Sequence, residues 1–469
     1  MERPENNRQD QTARTFAERS NRRRGKLSGE ECASAIQFDV VSRYNNLERR
    51  MTRQELPVMI IVQADELEFD NHRQGMDLVM VIDVSGSMTG TKIDLVKETL
   101  FFIIGELAEK DRLCLIKFDH KAKTLFNLIS MTSDNKAMAR DIVEKEIRAD
   151  GRTDLLAGLE SAFKVLLDRE QVNELSSIMF LSDGKDTNGN RNKDIQNAIS
   201  QWDAQMAKKN MAYGISCFGY GQYHDEEVLC HISNATNGSF FYIRDFKLVD
   251  DCFIECLSKL MTSFAHHATI RVKLGDDMVY SHKYGPNWDG NDENRLSVGS
   301  IYSEMKKNYL FKINIPAIKE DEDKIKLLNV TLNFTINGKH YEKRAELVLD
   351  LVDFDYELGK VNCEVEENLH RLEAAEVARQ VRREYRHGNW AQAETKMHSF
   401  KIRSTQNQHL SMDYKNKITD IFSKDNMNDQ RYSKQVEEMM IKQEYRPGYA
   451  FVDTKSKKSQ QLYHRRMNK

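Results

Sequence analysis

No apolar stretch in these 469 residues approaches the length that crosses a bilayer, and no apolar leader opens the chain. The expectation is a soluble, cytoplasmic protein outside the secretory route, without a membrane span. An excess of one charge is also lacking. Lys and Arg number 70 against 73 Asp and Glu, a formal net charge of −3, so no specific nucleic-acid partner is expected. Cysteine is scarce and odd in number, at seven, and no C-x-x-C pair occurs. That argues against zinc and against a disulfide framework, and it favours small reduced thiols, Cys230, Cys252 and Cys256 included. The sequons at Asn234, Asn237, Asn329 and Asn333 are then expected to stay unmodified. No Ser-His-Asp arrangement stands out, and Phe218-Gly219-Tyr220-Gly221 lacks the third glycine of a dinucleotide loop.

What is present is organised around Asp83-Val84-Ser85-Gly86-Ser87. Before it runs Leu78-Val79-Met80-Val81-Ile82, a continuous apolar run that reads as a strand buried on both faces. After it Ile93, Val96, Leu100, Ile103 and Leu107 recur at helical spacing. The Asp and two Ser therefore fall at the carboxyl end of a central strand, where open α/β sheets bind ligands. Such a donor set offers only oxygen and suits a hard cation: Mg²⁺, Mn²⁺ or Ca²⁺. An aspartyl nucleophile of the phosphotransferase kind would want a second acid where Ser85 stands.

Asp-x-Ser-x-Ser after an apolar strand resembles the first metal-binding segment of a von Willebrand factor type A domain. Two further pieces of that pattern follow in order. Thr153 lies in Asp150-Gly151-Arg152-Thr153-Asp154, and Asp183 ends Phe180-Leu181-Ser182-Asp183. The resemblance implies a metal-ion-dependent adhesion site made of Asp83, Ser85, Ser87, Thr153 and Asp183. Its cofactor would be Mg²⁺ or Mn²⁺, partly hydrated, with one exchangeable position for a partner's carboxylate. Arg152 departs from the family, which usually has Gly there. A cation at that place would favour an acidic partner or mark a loop that holds its ion weakly.

Around this centre the chain divides as follows. Residues 1–34 are polar and Arg-rich and read as a disordered basic arm. Apolar strands alternate with amphipathic helices over 76–264, the pattern of a doubly wound, mostly parallel α/β sheet. Over 265–355 the period changes to two, and Asn337-Gly338 is a strong hairpin signal. These strands alone would leave open edges, and two β-branched runs within 35–75 are available to close them. An antiparallel β-sandwich built from 35–75 and 265–355 is therefore expected, with the metal-binding domain inserted between its second and third strands. Helical periodicity returns over 360–443, where Val365, Leu369, Leu372, Ala375 and Ala378 form one face. Trp390, Ala393, Met397 and Phe400 form another after Gly388-Asn389, which together predict an αα-hairpin. Residues 444–469 read as a basic tail without core residues.

The order of segments, with Tyr445-Arg446-Pro447-Gly448-Tyr449-Ala450 in the tail, is similar to an intracellular eukaryotic group. Its plant relatives carry an N-terminal RING finger and act as ubiquitin ligases. Here the corresponding region has one cysteine, Cys32, so no RING and no ligase activity are expected. The reading is a metal-dependent adaptor or scaffold whose partner offers an exposed Asp or Glu, in ubiquitin-linked or trafficking pathways. The alternative is a metal-dependent hydrolase using the same ion, with Asp154 or Asp186 as the only extra acids nearby. Oligomeric state is not legible.

Overall fold

The computed structural model describes residues 27–49, 52–67, 73–183, 192–209, 211, 213–220, 226–236, 238–243, 249–318, 323–353, 359–421 and 460–462. Helix α1 (Gly29–Ser34) comes first and is held by a capping box. The Ser28 hydroxyl accepts from the Glu31 amide at 3.2 Å, and the Glu31 carboxylate takes the Ser28 amide at 2.8 Å. The reading of 1–34 as a solvated arm is corrected at this end: Cys32 and Ala33 are buried in the sandwich core. Residues 1–26 lie outside the described residues. Strands β1 (Ile36–Ser42), β2 (Asn46–Glu48) and β3 (Gln54–Ala64) follow.

The α/β unit then runs β4 (Met76–Asp83), α2 (Thr91–Glu106), β5 (Arg112–Phe118), β6 (Ala122–Ser130), α3 (Ser133–Glu146), α4 (Leu155–Asp168), β7 (Leu175–Ser182), α5 (Asn192–Lys208), β8 (Gly214–Tyr220), α6 (Glu226–Ala235), β9 (Phe240–Ile243) and α7 (Val249–Met261). Its six strands order as β6-β5-β4-β7-β8-β9, all parallel except the edge strand β6. Every residue of β4 is buried. Because strand side chains alternate, Leu78, Met80 and Ile82 feed one core while Val79 and Val81 feed the other. This is why β4 carries an unbroken apolar run rather than an alternating one.

The chain returns to the sandwich with β10 (Ser263–Leu274), β11 (Val279–Lys283), β12 (Arg295–Tyr302), β13 (Lys306–Ile315), β14 (Lys324–Ile336) and β15 (Lys339–Val352). One sheet orders as β1-β3-β13-β11 and the other as β12-β10-β14-β15-β2, and a single apolar core joins them. Strands from both sides of the α/β unit thus share each sheet. Three strands precede the insertion rather than two, however: β2 is short and adds in parallel to the edge strand β15. Strands β11 and β12 were also not evident from sequence, β12 because Gly299, at φ 83°, interrupts its pattern. Asn337 and Gly338 both take positive φ, 51° and 72°, in the two-residue turn joining β14 to β15.

Helices α8 (Cys363–Arg386), α9 (Trp390–Gln406) and α10 (Met412–Ile421) follow the sandwich. The face read as one stripe on α8 serves two neighbours. Val365, Leu369 and Leu372 dock on Met59 and Leu310 of the four-stranded sheet and on Tyr284, which follows β11, while Ala374, Ala375 and Ala378 pack on Ala393, Met397 and Phe400. The part of the helical region 360–443 beyond residue 421 and the Tyr445–Ala450 segment lie outside the described residues. Leu462 corrects the tail: it is buried in the core on the α2, α3 and α7 face of the α/β sheet. No described helix is long and apolar enough to cross a membrane.

Candidate metal site

Strand register assembles the site. β4 and β7 are parallel neighbours with Ile82 opposite Leu181, so Asp83 comes beside Ser182, and Asp183 follows one residue on. Asp83, fully buried, accepts from the Ser182 hydroxyl at 2.6 Å and from the Ser85 amide at 2.8 Å. Burial pushes its carboxyl up to about 6; those hydrogen bonds oppose the shift, and the neighbouring charge of Asp183 adds to it.

Beyond Asp83 a single 3₁₀ turn, Gly86–Met88, turns the chain toward α2. The Ser85 and Ser87 hydroxyls lie 3.0 Å apart, and the Ser87 hydroxyl donates to Asp183 Oδ1 at 2.6 Å. The loop before α4 is stitched to this turn: the Asp150 amide donates to Val84 O at 2.6 Å and the Gly86 amide to Gly151 O at 3.0 Å. Gly151 sits at φ 90°, where a Cβ would come within 3.2 Å of the Asp119 carboxylate, so only glycine fits without strain. Thr153 is buried on that loop. Four of the five expected ligands therefore form one hydrogen-bonded group, and the fifth lies on the loop tied to it.

Three residues enter that sequence reading did not assign. Ser182 holds Asp83 from the neighbouring strand. Asp119 carries the Thr153 loop, its carbonyl accepting the Asp154 amide at 2.7 Å. Lys92, in the first turn of α2, places its ammonium on Asp183 Oδ2 and donates to Ser87 O at 2.9 Å. Of the two spare acids, Asp154 caps α4, accepting the Ala157 amide at 3.0 Å, and Asp186 lies outside the described residues. Arg152 is exposed.

A comparison within β4 shows that the donor set suits a cation. Asp77, at the other end of the strand and equally buried, is neutralised by Arg112 at 2.7 Å and Arg169 at 2.7 Å, with Asn173 at 2.8 Å. Asp83 has hydroxyl and amide donors only, and no Lys, Arg or His pairs with it among the described residues. A buried carboxylate in that state is costly unless a positive charge reaches it. The candidate ligand atoms themselves are all oxygen, which suits a hard divalent cation. Among the described residues no group of three or more His, Cys, Asp or Glu competes as a metal site.

Residues 77–254 match the family described as von Willebrand factor type A domain. The chain is 22% identical over 303 residues to the uncharacterized protein sll0103 of Synechocystis, covering 64% of this chain and 66% of that one. It is 24% identical over 259 residues to the E3 ubiquitin-protein ligase WAV3 of Arabidopsis thaliana, covering 53% of this chain and 32% of that one. The chain thus spans about two thirds of the first relative and a third of the second. The von Willebrand factor type A protein from Catenulispora acidiphila superposes with a TM-score of 0.67 over 87% of this chain and 96% of that one. At 16% identity this is a likeness of fold.

Proposed function

Residues 77–254 are a von Willebrand factor type A domain, and on that premise we propose that the chain is a metal-ion-dependent protein-binding adaptor or scaffold. Domains of this family commonly bind proteins and are typically adaptors rather than enzymes. The observation that carries the proposal is Asp83: buried, acidic, and without the side-chain cations that Asp77 receives on the same strand. Asp83, Ser85, Ser87, Thr153 and Asp183 would hold Mg²⁺ or Mn²⁺. When bound, the ion supplies a concentrated positive charge with an exchangeable position for an Asp or Glu carboxylate of a partner. The exposed Arg152 at the rim favours the same acidic partner. The hydrolase alternative is weakened because Asp154 is committed to capping α4. All seven cysteines are free thiols, which supports a cytoplasmic setting. Similarity to WAV3, itself an E3 ubiquitin-protein ligase, supports a ubiquitin-linked pathway ahead of a trafficking one.

The test is calorimetric titration with Mg²⁺ and Mn²⁺, followed by capture of cellular partners with and without EDTA. Asp83→Ala should abolish ion binding and the EDTA-sensitive capture. Arg152→Gly should slow association and reduce its salt dependence, while leaving EDTA sensitivity intact. Capture that ignores EDTA and both substitutions would move the binding surface elsewhere.

A further inference from the structure

Lys92 is a charged feature of the site that the adaptor reading does not use. A cation in the first turn of a helix opposes the helix dipole, so its place at the start of α2 is unfavourable in isolation. Its side chain nevertheless lies over the site, 28% exposed, against an Asp183 side chain that is 0% exposed. Two anchors fix it there, the Asp183 carboxylate and the Ser87 carbonyl at 2.9 Å. Both anchors belong to residues of the proposed ligand set.

We propose that Lys92 is a tethered counter-cation of the metal site, neutralising Asp183 in the metal-free protein and expelled to the rim when a divalent ion enters. This inference rests on the metal-binding reading above. The charge balance gives its direction. Asp83 and Asp183 together carry two negative charges, and Lys92 cancels one. A divalent ion cancels both, and an ammonium left on Asp183 would then face the ion as a like charge at contact distance. The stem of Lys92 is long and partly exposed, so the ammonium can leave without disturbing α2. Once released it stays tethered at the rim, where it joins Arg152 in favouring a carboxylate partner. The site therefore holds a cation in both states, its own or a divalent one. Asp183 is not left as a bare buried charge between them.

Two measurements test this on the full chain. Amine-selective acetylation read by mass spectrometry should modify Lys92 several-fold faster with saturating Mg²⁺ than in EDTA, with the other lysines as internal reference. In calorimetry, Lys92→Met should bind Mn²⁺ about tenfold tighter than the unsubstituted chain, and it should melt at lower temperature in EDTA. Arg152→Met controls for removal of a positive charge alone; it should not lower the melting temperature in EDTA. If Mn²⁺ binds the unsubstituted chain but Lys92 acetylation is indifferent to the ion, the expulsion is wrong while the metal site stands. Equal or weaker Mn²⁺ binding by Lys92→Met would likewise overturn the expulsion and leave the metal site standing. If neither chain binds Mn²⁺, the metal reading itself fails and takes the expulsion with it.

Discussion

His370 shows at the residue scale how burial becomes a dependence on pH. Its ring lies between the Ser404 hydroxyl at 2.8 Å and the Tyr414 hydroxyl at 3.3 Å, and burial pushes its pKa down to about 4. Above about pH 6.5 the ring is neutral in both folded and unfolded chains. Between about 6.5 and 4 the unfolded chain takes up a proton that the folded one refuses, so stability falls as pH falls, by up to about 3 kcal/mol. His266 in β10, also pushed to about 4 by burial, contributes in the same direction. His370→Gln should therefore reduce the loss measured by urea unfolding at pH 7 and pH 4.5; an unchanged loss would refute the assignment. Single residues differ in how far sequence reveals them. Asp83, Ser85, Ser87, Thr153 and Asp183 were picked out as candidate ligands because their spacing resembles a known pattern. Ser182 and Lys92 were not, since their roles depend on which strand lies beside β4 and on which way a long side chain turns. Leu462 was missed because one leucine in a polar tail makes no period.

At the scale of elements, the approach of α4 to the sheet governs the Thr153 loop. Gly158 faces the buried rings of Phe118 and Phe180, and a Cβ there would come 3.0 Å from the first and 3.1 Å from the second. Those rings stack at 5.1 Å and are fully buried, so they have little room to yield. Gly158→Ala should gain helix propensity of about 1 kcal/mol but lose about 1–3 kcal/mol to overpacking. Net destabilisation in urea unfolding, with weakened Mn²⁺ binding as α4 shifts, is the expected result; a more stable variant with unchanged binding would show that the helix can move freely. Elements with a strong period were readable, from β4 through the α8–α9 hairpin. Those missed were short or interrupted: β2 of three residues, β11 with its exposed and half-buried pattern, and β12 with Gly299 inside. In such strands the neighbouring strand supplies the structure, and a local pattern does not record the neighbour.

At the scale of the whole molecule, β3 is the seam. It lies between β1, its near neighbour in the chain, and β13, which follows only after the α/β unit. A chain begun at Gly75 would lose α1 and β1 to β3, uncover β13 with its buried Leu310, Phe311 and Ile313, and should aggregate. A chain begun at Leu27 should stay monodisperse in light scattering, because it retains α1 and its buried Cys32 and Ala33. Equal solubility of the two would mean that β1 to β3 are dispensable to the sandwich. The same seam has a meaning for synthesis. On a ribosome, β3 emerges with one edge satisfied and waits for β13 while the intervening residues are made, on the order of ten seconds or more. The α/β unit, whose strands pair only among themselves, can fold during that wait. The candidate ion site can then be complete on the nascent chain while its frame is half made, and a holding chaperone would have most to protect at the open edge of β3.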